Sequence, residues 1–124
     1  MVHFEVAAPA PPMSFAEVAS GDGVHIHYAH QGPPDGPAII LLHGLSDSSF
    51  SFSRVMPLLP SELRVIAPDL RGHGHSARPA TGYRVGDHAG DVLSMMDVLS
   101  IPRAVIVGHS MGSFVAHAIA ERAP

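Results

Sequence analysis

Gly108-His109-Ser110-Met111-Gly112 sets one serine between two glycines, directly behind the apolar run Ala104-Val105-Ile106-Val107. This G-x-S-x-G spacing suits nucleophilic chemistry, because a strand that ends in a sharp turn before a helix lifts the hydroxyl clear of the sheet. Glycines are needed where backbone segments approach too closely for side chains, or where the turn adopts φ/ψ values closed to other residues. N–H groups at the start of the following helix are placed to stabilise a developing oxyanion. A serine also suits a helix N-cap, but the buried strand and flanking glycines favour the nucleophile. Such a serine needs a base, and the base needs an orienting acid. His109 precedes the serine in the strand, so its side chain is expected to point away from Ser110. His117, seven positions further along the helix, is out of reach.

Positioning that serine requires a sheet, and the apolar runs supply one. Phe15 to Ala19 and Val24 to His30 read as a hairpin about Ser20-Gly21-Asp22-Gly23. Ala38 to Leu42 and Arg64 to Ala67 are apolar runs of the kind covered on both faces. A short helix is expected within Phe50 to Leu59, limited by Pro57 and Pro60. Val85, Ala89, Val92, Met96 and Leu99 step at helical spacing. Gly86 and Gly90 each cost roughly 1 kcal/mol there, so frayed first turns are expected. The last helix, Ser113 to Ala123, is apolar on nearly every side. Strands alternating with helices predict an α/β fold with a mostly parallel sheet and flanking helices.

Composition narrows the function classes. The chain has 124 residues, 46% hydrophobic and 15% charged, enough for one modest core. Residues 1–13, rich in Ala and Pro, read as a flexible tail ahead of a domain over residues 14–124. A net charge of -4 and the lack of a basic cluster argue against nucleic-acid partners. No run is long enough to span a bilayer, and the cytoplasm is the default compartment. There are no cysteines for disulfides or thiol chemistry. His25/His27 and His73/His75 lack the Cys or carboxylate spacing of a metal site, so no metal and no cofactor are expected. Gly72-His73-Gly74-His75-Ser76-Ala77 imitates a dinucleotide fingerprint, but Pro79 and Gly82 follow where a helix should open.

Leu42-His43-Gly44-Leu45 closes one strand, and Asp69-Leu70-Arg71-Gly72-His73-Gly74-His75-Ser76 follows the next. With the serine turn, in this order, these motifs resemble the N-terminal half of the α/β-hydrolase superfamily from about Phe15 to Pro124. The resemblance implies Ser110 as nucleophile, with an oxyanion hole from the backbone N–H groups of Met111 and Leu45. It implies that His43 shapes its loop more than it polarises substrate. His43, Gly44, Phe50 and His109 are the candidate substrate-binding residues. An Asp69–Arg71 pair is expected to brace the loop.

In this family the acid and histidine follow the serine on loops after later strands, beyond Pro124. The resemblance therefore implies a truncated half-domain and a complementary C-terminal chain as partner. The edge of the strand Ala104 to Gly108 is expected to lack a neighbour. A serine at the turn argues against the dehalogenases and epoxide hydrolases of the superfamily, which place Asp there. Hydrolysis of a small-molecule ester or related bond through a serine acyl-enzyme is the expectation for the complete form. Carboxylesterases, cofactor-free perhydrolases and carbon–carbon bond hydrolases stay open. The alternatives are a non-catalytic remnant or binding module and one half of a split enzyme.

Overall fold

A computed structural model describes residues 13–124. The sheet has five strands, β1 (Ser14–Ala19), β2 (His25–Gln31), β3 (Ala38–Leu42), β4 (Arg64–Pro68) and β5 (Ala104–Gly108), in the order β1-β2-β4-β3-β5. β4, β3 and β5 run parallel, while β2 is antiparallel to both β1 and β4. The hairpin therefore gives a mixed sheet whose parallel part carries the serine turn. Two helices follow their strands, α1 (Val85–Val98) and α2 (Met111–Arg122). The expected helix within 50–59 divides into two 3-10 turns, Ser49–Phe52 and Met56–Leu58, with Pro57 inside the second. Residues 1–12 of the expected tail lie outside the described residues. Met13, also assigned to it, packs beside the cluster of Leu41, Met56 and Val65.

The period of two along each strand decides what covers the sheet. Ile40, Leu42 and Ile66 join Val92, Met95, Val115 and Ile119 beneath the helices. Leu41, Val65 and Ala67 point the other way, onto Met56 and Phe52 from the 3-10 turns. β3 and β4 are thus covered on both faces, as their continuous apolar runs require. β5 departs from that expectation. Ala104 and Ile106 pack toward the helices, but Val105 is 62% exposed and Val107 40%. The second cluster includes no residue of β5.

The first turns of α1 are held rather than frayed. Arg84 N–H donates to Asp87 Oδ2 at 2.9 Å, bonding an otherwise free donor ahead of the helix. Arg122, at the end of α2, donates to Gly86 O at 2.9 Å and ties the two helices together. α2 begins at Met111, two residues before the expected Ser113.

Candidate active site

Ser110 joins β5 to α2 with φ 54° and ψ -119°, a conformation that L residues rarely adopt. Its side chain makes no capping hydrogen bond to the helix, which removes the N-cap explanation for the serine. The positive φ falls on the serine itself rather than on either flanking glycine. A backbone outlier of this kind costs on the order of 1–3 kcal/mol and is a reason to examine the site for function. What the glycines supply is close approach. A Cβ on Gly108 would lie 2.2 Å from Gly112 O, and one on Gly112 would lie 2.2 Å from Leu42 O. The start of α2 is therefore pressed onto the end of β3.

That contact brings the two sequence motifs together. A Cβ on Gly44 would sit 3.1 Å from Ser110 Cβ, so the His43-Gly44 turn lies against the serine. His109 N–H donates to Leu42 O at 2.9 Å, continuing the β3–β5 ladder past the end of β5. Gly112 and Ser113 N–H groups turn back to His109 O and Ser110 O, each at 2.9 Å. The N–H groups of Met111 and Leu45 donate to no acceptor among the described residues. Leu45 is itself 71% exposed, so this corner opens to solvent.

His43 has no accessible surface, and both of its ring nitrogens are committed. Nδ1–H donates to Gly44 O at 2.7 Å, and Nε2 accepts from Leu70 N–H at 3.0 Å. That pattern requires the neutral ring. Burial, the largest influence, pushes its pKa below the ordinary histidine value, in agreement. With no free nitrogen, His43 shapes the turn beside Ser110 and ties it to the loop after β4. His109 lies outside β5, with its ring beside Gly44, not within a strand as expected. Phe50, 79% exposed, borders a cavity with His27 and Asp69; Ser110 does not line it.

The expected Asp69–Arg71 pair does not form; each residue has other partners. Arg71 grips Asp91 with Nε and Nη2, both at 2.7 Å, and reaches Asp22 at 3.1 Å and Gly82 O at 2.9 Å. Asp91 holds the guanidinium pKa above its usual range. Asp69 accepts from Ser49 N–H at 2.7 Å, His75 N–H at 2.9 Å and His27 Nδ1 at 3.0 Å. Although burial opposes its charge, these donors keep its pKa below the ordinary carboxylate value. Sequence spacing does not reveal the distant partners, because His27, Ser49 and Asp91 come from three other elements. No hydrogen bond joins Ser110 to an imidazole among the described residues, and His117 pairs with Glu121 at 3.0 Å. No metal-binding cluster occurs among the described residues, and no described helix is long and apolar enough to cross a membrane.

Residues 37–124 match the family model for the alpha/beta hydrolase fold. This chain belongs to that family. It is 44% identical over 89 residues to an uncharacterized protein of Mycobacterium tuberculosis, covering 72% of this chain and 26% of the relative. It is 39% identical over 95 residues to an epoxide hydrolase of Caballeronia sordidicola, covering 74% and 28%. Among solved structures, the haloalkane dehalogenase DbeA from Bradyrhizobium elkani superposes with a TM-score of 0.84 at 34% identity, covering 91% of this chain and 38% of that one. The chain thus spans only about a quarter to two-fifths of these relatives' length.

Proposed function

We propose that Ser110 is the nucleophile of a hydrolase that cleaves an ester or related bond through an acyl-enzyme. The observation that carries this reading is the serine's backbone, at φ 54° and ψ -119° with no capping bond to justify it. Ser110 Oγ attacks the substrate carbonyl carbon, and its proton passes to a histidine base. The tetrahedral oxyanion takes hydrogen bonds from the Met111 and Leu45 N–H groups, both without an acceptor among the described residues. The alcohol then leaves with a proton, and water hydrolyses the acyl-enzyme to acid and free serine. Base and acid belong to the part of the fold that follows α2 in the family, outside the residues of this sequence. Similarity to an epoxide hydrolase and a dehalogenase does not carry their reaction across, because the superfamily resemblance places Asp where this chain has Ser110.

A second reading, a binding module that uses the fold without chemistry, draws on the absence of any imidazole bonded to Ser110 among the described residues. Fluorophosphonate labelling separates the two. The chain joined to its complementary segment is expected to be phosphonylated on Ser110, mapped by peptide mass spectrometry. Ser110→Ala is expected to lose the label and about 10⁶ in turnover, the scale for removing a triad serine. An ester-hydrolysing assembly whose Ser110→Ala variant kept its rate would sink the proposal. Failure of the assembly to label or turn over favours the binding module.

A further inference from the structure

On the hairpin side of the same sheet, a cavity of about 300 Å³ lies beside a histidine that the serine chemistry does not use. His27, on β2, is held at two points. Its carbonyl accepts from Asp69 N–H at 2.8 Å, and its Nδ1 meets Asp69 Oδ2 at 3.0 Å. Asp69 is 1% exposed and kept ionised by three donors, so Nδ1 carries the proton. Nε2 has no partner among the described residues. The two contacts fix the angle of the ring. Phe15 stacks on the imidazole with centroids 5.3 Å apart, and His75 meets its edge at 5.0 Å. Phe15 and Phe50 both border this cavity, and both are largely exposed, at 59% and 79%.

We propose that this cavity binds a small phenol-class molecule, its hydroxyl hydrogen-bonded to His27 Nε2 and its ring lying against Phe15 and Phe50. The volume is at the lower end of the roughly 300–1,000 Å³ of small-molecule pockets, which suits a single-ring compound. Two exposed aromatic side chains around one imidazole nitrogen without a partner among the described residues match the composition of such pockets, apolar walls with few placed polar groups. The inference is independent of the serine reading, since Ser110 does not line the cavity.

The test is a titration with phenol, followed through the ¹⁵N resonances of the His27 ring. Saturable movement of Nε2 is expected, with Phe50→Ser weakening binding about two- to tenfold, the worth of one aromatic contact. Phe50 is exposed enough for that change to leave the fold intact. Ser110→Ala should bind phenol as the unaltered chain does, and benzene, which lacks the hydroxyl, should bind at least several-fold more weakly. Absence of saturation up to the solubility limit overturns the proposal. So does an affinity unchanged by Phe50→Ser, or benzene binding as tightly as phenol. If removal of residues 1–12 is needed before phenol binds, the cavity belongs to that segment and the proposal fails.

Discussion

The two sides of the sheet are finished differently. On the hairpin side, the loop after β4 has its charges saturated: Asp69 takes three donors, and Arg71 reaches two carboxylates and a carbonyl. On the other side, β5 pairs with β3 alone among the described residues, Val105 and Val107 are exposed, and the serine beyond it makes no capping bond. The closed side fixes geometry by satisfying every buried charge. The open side leaves the Met111 and Leu45 N–H groups without an acceptor among the described residues. His43 connects the two, since its ring bonds to Gly44 on one side and Leu70 on the other.

If that division holds, the largest stability effect belongs to the closed side. Arg71→Met leaves Asp91, 2% exposed, charged and unpaired. A loss of about 3–5 kcal/mol is expected by urea denaturation, the scale for removing one partner of a buried pair. A loss under about 1 kcal/mol would show that the loop is braced by something other than this pair. On the open side, Gly112→Ala drives a Cβ to 2.2 Å from Leu42 O, a backbone atom with little freedom to retreat. The expected cost is about 1–3 kcal/mol, together with displacement of α2 from the end of β3. Because that displacement moves the Ser110 turn, any turnover of the complete enzyme should fall by more than the stability change accounts for.

What the sequence made legible follows the range of each interaction. β3 matches its expected span, Ala38 to Leu42, and β4 ends one residue later than expected, because a continuous apolar run bounded by Gly and Pro is a local signal. α1 begins at Val85, the first residue of its apolar stripe. The serine turn is legible as a motif and so is the close approach at its glycines, but the positive φ belongs to Ser110 and not to a glycine. Arg71 was given the nearest acid, Asp69, whereas its partner Asp91 lies 20 residues away on α1. The exposure of Val105 and Val107 could not be read from an apolar run, because covering a strand's second face depends on elements distant in sequence. His27 gave no signal of its own, since its partner Asp69 is 42 residues away.

Titration probes the join between the two sides. His43 and His88 both have pKa values pushed below 6.5, burial being the first cause for each. A histidine that folds neutral binds fewer protons than its unfolded form, so its stabilising contribution is complete above about pH 6.5 and is lost as pH falls toward the lowered folded value. Asp69, lowered from 3.8, adds a second loss below that pH. His88 is 2% exposed, and its Nδ1 has no hydrogen-bond partner among the described residues. His88→Met should therefore flatten the stability profile between pH 7 and 5 while changing stability at pH 8 by less than about 1.5 kcal/mol. An unchanged slope would place the titration elsewhere.

The smallest effect on folding should come from the exposed face of β5, where the consequence is association instead. Val105 is 62% exposed on an edge strand, so Val105→Lys removes little buried area. Stability is expected to stay within about 0.5 kcal/mol. A charge on an unpaired edge disfavours pairing with another strand, which is how natural sheets protect such edges. Sedimentation velocity over a range of concentrations should then show less self-association for the variant than for the unaltered chain. If the two sediment alike, the exposed valines do not drive contact between copies. If Val105→Lys also costs several kcal/mol, that face is covered in solution, and the contrast between a closed and an open side fails at the strand where it is drawn most sharply.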